Sequence, residues 1–507
     1  MRLKIPAFLL GAAAVLSFAP FGFYPLAVLA LTGMVLLWNR CTGPRQVMGL
    51  GLAFGLGFFL AGVSWVYVSL HDFGGMAAPL AAGFTLLFCA FLSCFPALAG
   101  LLSWKIPAGI AWRSMVLIPA LWVLLEWVRG WIFTGFPWLV IGYSQIPESP
   151  LAGYAPVLGA YGVSLMTAMT ACAIAFLVQE NLLSRSKPGA GQWSLASSFA
   201  LSVLISIPFV GAGLKTINWT HPLPGEPTTV ALLQGNITQD LKWRPEQATA
   251  TLETYAGLVR ASDAALIVLP ETAIPMFQVN TPPAFLEMLV EHGKRNGGDI
   301  LVGIPELDPD GRYYNSVMSF GNSTNRPYRK QHLVPFGDYF PLQGVLGWIM
   351  QLMEIPMSAF SPGEGQQRPL NVAGQKVAIN ICYEDAFGEE IIRQLPEATL
   401  LANFTNDAWW GKSIASRQHL QMAQMRALEA GRPMLRATNT GVTAIIDVSG
   451  HIAAQAPEFA TTTLSATVRG YRGATPYVRV GNYAFLALVF VMLAAPITWS
   501  RLSRKAK

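Results

Sequence analysis

Apolar and polar positions divide this 507-residue chain into two regions with different periods. Crossing a bilayer takes about 20 mostly apolar residues, and runs of that kind stand at 5–20, 24–39, 47–69, 77–104, 115–129, 156–179 and 193–214, with an eighth at 482–500. The first two are short, and only Pro20, Phe21, Gly22 and Phe23 separate them, which predicts a tight hairpin or one broken element. From 220 to 470 short β-branched runs alternate with amphipathic stretches, the signature of α/β layering. Strands are predicted at 229–233, 264–269, 299–304, 314–320, 377–381, 399–404 and 443–448, and helices at 246–261, 283–295 and 417–431. The organisation that follows is a seven-span membrane domain at 1–215, a globular domain at 220–470, and an eighth span with a basic tail at 480–507.

Composition strengthens the division. Hydrophobic residues make up 53% of the chain and charged ones 12%, against roughly a quarter charged in soluble proteins, and the first two hundred positions are nearly charge-free. The net charge of +6 does not point to nucleic acid, because the Lys and Arg residues fall singly between apolar runs and at the C-terminus. Arg2 and Lys4, Arg40 and Arg45, Lys105 and Arg113, Arg185 and Lys187, and the C-terminal Arg501, Arg504, Lys505 and Lys507 occupy alternate ends of the spans. The positive-inside rule makes those ends cytoplasmic and places 220–470 outside, since long segments cross regardless of their own charge. Residues 1–20 resemble a signal peptide, with Arg2 and Lys4 ahead of an apolar run, but the further spans that follow at once predict a retained first helix. No span carries the paired charges of a transport path; Glu126 is the nearest approach, with Arg129 on the same helix as its expected partner.

Of the five cysteines, Cys41, Cys89, Cys94 and Cys172 lie in or between the apolar runs and only Cys382 lies in the globular region. No disulfide framework or metal spacing emerges, and no motif implies a cofactor. Cys382 follows a predicted strand and precedes Tyr383, Glu384 and Asp385, so it is either an inert core cysteine or a nucleophile presented at a sharp strand end. A free thiol is mostly protonated at neutral pH, so the second reading requires a base and a positive neighbour. Glu271 stands directly after an apolar strand, where it is a general base or simply a cap, and Lys330 precedes an apolar turn that bears Asp338, where it is an oxyanion donor or a solvated loop lysine. Asn406 and Asp407 follow a third strand end, and carboxyl ends of strands are where α/β sites gather.

Taken together, LPETAIP at 269–275, HLVPFG at 332–337 behind Lys330, ICYE at 381–384, TNDAW at 405–409 and the Gly135–Trp138 and Gly142–Gln145 stretches resemble the apolipoprotein N-acyltransferase family, a membrane-embedded branch of the nitrilase superfamily, over nearly the full chain. The resemblance implies eight spans joined to an extracytoplasmic nitrilase-like α/β sandwich with α-β-β-α layering, in the inner membrane of a bacterium. It implies Glu271 as general base, Lys330 as oxyanion stabiliser and Cys382 as nucleophile, taking an acyl chain from a membrane phospholipid and passing it to the α-amine of a diacylated lipoprotein, with a monomer the expected form. Asp338 stands where the family usually has Glu, which puts its reach in question. Tyr383 and Glu384 are implied as supporting residues, and Trp138, Trp243, Asn406 and Trp409 as substrate contacts, although a Trp near a membrane boundary also serves as an anchor. The apolar stretch 340–360, interrupted by Gln343, Gln351, Glu354 and several Pro and Gly, is expected not to cross the bilayer but to dip into the interface and gate lipid entry, or to pack against the membrane part. The alternative activity is a membrane-tethered amidase or nitrile hydrolase, since Glu, Lys and Cys alone fit that too.

Overall fold

A computed structural model describes residues 2–184, 194–340 and 359–505. Most of the expected lipid-gating stretch, 341–358, lies outside the described residues, as does the loop with Arg185 and Lys187. The contacts gather into two units: Met1–Ser64 with Ala82–Ile217 and Arg479–Lys507, and Trp65–Ala81 with Asn218–Val478.

The first unit is helical: α1 (Lys4–Ala14), α2 (Pro25–Asn39), α3 (Pro44–Val63), α4 (Ala78–Lys105), α5 (Ile110–Arg129), α6 (Ala155–Ser184), α7 (Leu195–Lys215) and the C-terminal helix Tyr483–Lys505. Among the described residues five helices are long and apolar enough to cross a membrane, namely α3, α4, α5, Pro150–Leu182 and α7. Lys4–Ser17, Pro25–Asn39 and Tyr483–Ala495 are apolar but shorter. A tight turn separates α1 from α2: the amides of Phe21 and Gly22 both donate to the Phe18 carbonyl, Gly22 takes φ +71°, and Pro25 opens α2. In lipid no hydrophobic driving force pulls helices together, so close approach through small residues does that work. A methyl group on Gly11 of α1 would run into the Phe54 carbonyl, and one on Gly57 of α3 into the Phe8 carbonyl. The other side of α3 meets α4 in the same way, where a methyl on Gly51 or Gly55 would come within 2.6 Å of Ala97 Cα or 2.7 Å of Ser93 Cα.

Glu126 and Arg129 brace the loop after α5. The Glu126 carboxylate accepts from Trp122 Nε1 (3.1 Å) and the Ile141 amide (3.0 Å), while Arg129 donates to the Phe136 and Trp138 carbonyls, both at 2.6 Å.

The apolar run at 47–69 is longer than the helix it produces. Helix α3 stops at Val63, and the residues from Trp65 onward pack with the second unit. Trp65 Nε1 donates to Gln418 Oε1 at 3.3 Å, Ser69 Oγ donates to the Trp409 carbonyl at 2.9 Å, and the Trp65 and Trp410 rings lie 5.3 Å apart. Hydropathy counts Trp65 with the valines after it as lipid-seeking and cannot register that the partners of Trp65 and Ser69 are supplied by another part of the chain.

In the second unit the strands are β1 (Thr220–Pro222), β2 (Thr228–Gln234), β3 (Leu266–Leu269), β4 (Asp299–Leu307), β5 (Tyr313–Gly321), β6 (Tyr328–Arg329), β7 (Leu370–Val372), β8 (Gln375–Ile381), β9 (Leu400–Thr405), β10 (Met434–Thr438), β11 (Ala444–Ile446), β12 (Ile452–Gln455), β13 (Thr462–Val468) and β14 (Tyr471–Gly473). Strands β1 and β14 form a small pair, and the rest form two six-stranded sheets ordered β13-β2-β3-β4-β5-β6 and β12-β11-β10-β9-β8-β7. Each has a parallel centre, β2-β3-β4 or β8-β9-β10, and antiparallel flanks. Because side chains alternate along a strand, Val230, Leu232, Val268 and Leu301 meet Ile379, Ile381, Ala402 and Phe404 in a core between the sheets. The intervening Ala231, Leu233, Ile267 and Ile300 face α8 (Pro245–Arg260) and α9 (Pro283–Arg295), and Ala378, Leu401 and Met434 face α10 (Ala415–Ala430).

Candidate active site

Three corners of the second unit bring chemistry together, and each contains a non-glycine residue at positive φ: Thr272 (φ +45°) after Glu271, Phe336 (φ +63°) between Lys330 and Asp338, and Cys382 itself (φ +52°). Such geometry costs about 1–3 kcal/mol per residue and persists only where its surroundings enforce it. Glu271 leaves the end of β3 behind Pro270, and β4 has Gly303 opposite, where any Cβ would strike the Pro270 carbonyl and lie 2.8 Å from Glu271 Cα. Asn315 of β5 then fixes two groups at once. Its Nδ2 donates to Glu271 Oε1 at 2.8 Å, and its carbonyl accepts the Lys330 amide at 2.8 Å.

Lys330 is buried, with Nζ 2.7 Å from Asp338 Oδ2 and 3.5 Å from Glu271 Oε1. Burial works against the ammonium, but the Asp338 and Glu271 carboxylates outweigh it and hold Lys330 above the usual lysine range. The shorter side chain of Asp338 reaches because its own turn is tight: the Asp338 amide donates to the Val334 carbonyl and the Val334 amide to Asp338 Oδ2, each at 2.8 Å.

Cys382 opens a helical turn at the end of β8 and is partly exposed. Burial of the thiol and the facing Glu271 push its pKa well above the ordinary thiol value, while Lys330 and a hydrogen bond from Thr405 pull the other way. A proton therefore sits on sulfur at rest, and an acceptor such as Glu271 is needed to release the thiolate. Tyr383 is buried beside Phe387 and His332, with ring centroids 5.1 and 5.8 Å away. Glu384 collects four donors: the Gln331 and His332 amides at 2.6 and 3.2 Å on Oε1, and the Ile381 amide and Tyr328 hydroxyl at 2.6 and 3.0 Å on Oε2. It thereby ties the Cys382 corner to the Lys330 strand, and its burial raises it to about 7.

Two further groups carry no sequence motif of their own. Behind Cys382, in a fully buried network, Arg436 of β10 lies 3.0 Å from Asp385 Oδ2, 3.1 Å from Asp407 Oδ2 and 2.6 Å from Asn403 Oδ1. His419 of α10 bridges the same two carboxylates, Nδ1 to Asp407 at 2.9 Å and Nε2 to Asp385 at 2.8 Å. His419 Nε2 (3.2 Å) and Asn403 Nδ2 (3.4 Å) both approach the Cys382 carbonyl, so this network sets the main chain at the thiol. The second group is Lys242, buried, with Nζ donating to the Glu271 carbonyl at 3.2 Å. The sequence reading singles out its neighbour Trp243, which is only partly buried.

Of the residues predicted to meet substrate, Trp409 is partly buried, with the Phe73 ring 6.5 Å away. Asn406 is buried with both ends of its amide engaged: Nδ2 donates to Gln239 Oε1 at 2.8 Å and Oδ1 accepts from Asn439 at 2.9 Å. Trp138 belongs to the first unit and is fully buried, its ring stacked on Phe136. Asn406 and Trp138 are thus built into the protein interior. Among the described residues no group of acidic, His and Cys side chains is arranged to hold a metal ion.

Residues 10–173 match the model of the apolipoprotein N-acyltransferase N-terminal domain, and residues 229–477 that of the carbon-nitrogen hydrolases. An apolipoprotein N-acyltransferase of Nitrosomonas europaea is 51% identical over 97% of this chain and 96% of its own length. The chain belongs to the apolipoprotein N-acyltransferase family. Another relative of that name, from Chromobacterium violaceum, is 43% identical over 98% of this chain and 94% of its own. Among solved structures, a mutant nitrilase-superfamily amidase from Nesterenkonia AN1 aligns with 53% of this chain and 99% of its own, at 17% identity and a TM-score of 0.38. Membership in the N-acyltransferase family makes the protein an acyltransferase, and its long apolar helices make it a membrane protein.

Proposed function

We propose that the protein transfers an acyl chain from a membrane phospholipid, through a thioester on Cys382, to the N-terminal cysteine amine of diacylglyceryl lipoproteins. The observation that carries this reading is the single buried cluster in which the Lys330 ammonium lies 2.7 Å from Asp338 and 3.5 Å from Glu271, with the Cys382 thiol in the field of both Lys330 and Glu271. In the first half-reaction the thiol proton passes to Glu271 and the sulfur attacks the ester carbonyl. Lys330 stabilises the oxyanion. The carbon–oxygen bond then breaks, Glu271 returns the proton to the departing alcohol, and a lysophospholipid leaves behind the thioester. In the second, Glu271 takes a proton from the α-amine as nitrogen attacks, the carbon–sulfur bond breaks, and the thiol is restored as the amide forms.

Asp338 seats Lys330, and Glu384 with Tyr383 shapes the corner that bears the thiol. Trp243 and Trp409 contact substrate, while Asn406 and Trp138 act through the loops they hold. The shorter helices Lys4–Ser17, Pro25–Asn39 and Tyr483–Ala495 complete eight spans with the five long ones. The catalytic domain, with α-β-β-α layering, stands on the outer side of a bacterial inner membrane, as the alternation of basic loops supports, and the protein works as a monomer.

Mass spectrometry of the full chain incubated with phospholipid tests this. The expected result is an acyl group on Cys382 that a diacylated lipopeptide discharges as an amide; Cys382→Ala carries none, and Cys382→Ser retains an ester. No adduct, or discharge by water alone, sinks acyl transfer in favour of the amidase or nitrile hydrolase reading.

A further inference from the structure

The acyl-transfer site contains two buried lysines, and only Lys330 has been given a task. Lys242 ends the short helix Gln239–Lys242, and the segment that bears it is pinned from the second sheet. Asn439 donates to the Ile237 carbonyl at 2.7 Å and accepts the Ile237 amide at 3.0 Å, the Asn236 amide donates to the Asn439 carbonyl at 2.9 Å, and Asn406 donates to Gln239 at 2.8 Å. So many fixed bonds locate the Lys242 stem that its Nζ arrives, buried, at the Glu271 carbonyl.

A buried ammonium is costly unless negative charge compensates it. The charged groups that face Lys242 from outside its own helix are Glu271 and the Cys382 sulfur, with Lys330 and Asp338 behind them; Asp240, on its own helix, is exposed. Two carboxylates, Glu271 and Asp338, thus stand against two ammoniums, Lys330 and Lys242; Asp407, which also raises the thiol, is offset by Arg436 and His419, and Glu384, which faces Lys330, changes charge near 7 in wild type and variants alike. Moving the thiol proton from Cys382 to Glu271 leaves that balance unchanged. Without the Lys242 charge, the same step takes place in a site that carries an uncompensated negative charge.

We infer that Lys242 is a positioning residue of this site, holding Glu271 through its main-chain carbonyl and supplying the second positive charge against which the Cys382 thiolate forms. The inference rests on the acyl-transfer reading for its setting, but it concerns the thiol and can be tested without any acyl donor. Burial draws the Lys242 ammonium down to about 8, so its charge is present at neutral pH and fades in mild base.

The test is the rate of Cys382 carbamidomethylation by iodoacetamide from pH 6 to 10, read peptide by peptide on the full-length detergent-solubilised protein. Wild type is compared with Lys242→Gln, which keeps a donor for the Glu271 carbonyl and removes the charge, and with Lys242→Arg, which keeps both. Thiolate is the reacting form, and one opposite charge facing a thiol moves it by about one to two pH units, hence a rate by roughly 10- to 100-fold. The expected result is a Gln variant slowed by that factor at pH 7, a gap that closes as pH rises past about 8, and an Arg variant within about threefold of wild type. A Gln variant that alkylates like wild type at every pH, or an Arg variant as slow as Gln, overturns the inference. So does a gap constant across the pH range, which is the mark of mere packing. Absence of an acyl adduct on wild type sinks the acyl-transfer reading and leaves this profile untouched.

Discussion

Replacing Arg436 by Met keeps most of the volume of a fully buried side chain and removes the cation shared by Asp385 and Asp407. Two ion pairs, at 3.0 and 3.1 Å, and the 2.6 Å hydrogen bond to Asn403 are lost together. The two carboxylates left behind lie in an interior with no access to water, and among the described residues His419 is the cation that still pairs with both. Removing one partner of a buried pair costs about 3–5 kcal/mol, chiefly because the other stays charged and dry. For a unit of this size each kcal/mol lowers the melting temperature by about 2–4 °C, so a loss of roughly 6–20 °C follows. The assay is intrinsic tryptophan fluorescence on the detergent-solubilised protein at a fixed scan rate, since membrane enzymes often unfold irreversibly. Acylation of Cys382 should fall as well, because Arg436 holds Asn403 directly and His419 through the Asp385 and Asp407 carboxylates that both cations share, and Asn403 and His419 both approach the Cys382 carbonyl. Combining Arg436→Met with Asp407→Asn should cost less than the two changes summed, since the neutral amide no longer leaves a bare charge. A single variant melting within about 2 °C of wild type would show that the network does not support the fold.

Asp338→Asn removes the nearest counter-charge of Lys330, at 2.7 Å, and should cut steady-state kcat/KM for acyl transfer by about 10²-fold, the usual penalty for a displaced catalytic group; a change under about threefold would refute the seating role. His419 is raised from 6.5 to about 9 despite its burial, by Asp385 first and Asp407 next. Its folded value lies above its unfolded one, so its contribution is complete below pH 6.5 and fades as pH climbs through about 9, an effect on the order of 3 kcal/mol. The melting temperature of wild type should therefore fall over that window, and that of His419→Gln should fall less. In the membrane unit Gly57→Leu drives a side chain into the Phe8 carbonyl and should cost about 1–3 kcal/mol or more, read as early melting or poor recovery of folded protein, whereas Gly83→Leu, with open space around it, should not.

Cys382, Glu271 and Lys330 were legible as candidates because each stands at a strand end inside a distinctive local motif. Lys242 was not, for nothing in LKW says which way the lysine points until Asn406 and Asn439 close on that loop from more than a hundred residues away. His419 and Arg436 were hidden differently. Helix α10 is expected from the sequence as an amphipathic helix, whose polar residues would ordinarily meet water, yet Gln418, His419, Gln421, Gln424 and Arg426 are all buried. A trace was nonetheless present: Asn380, Asn403 and Arg436 interrupt three apolar strands and fall side by side in the parallel register. Lining them up, however, requires knowing that β8, β9 and β10 are neighbours.

By itself the sequence determined what depends on short range: which stretches are apolar enough for a bilayer, which alternate as strands, and which side chains are candidates for nucleophile, base and cation in recognisable surroundings. The tertiary structure alone decided where α3 ends and the chain from Trp65 joins the catalytic unit, that the shorter carboxylate of Asp338 reaches Lys330, and that a second lysine and a buried His–Arg–Asp network stand behind the thiol. The physical reason is that burial and charge pairing are properties of neighbours in space. A Lys, His or Arg reads as solvent-facing until a strand or loop far away in sequence supplies its partner and excludes the water.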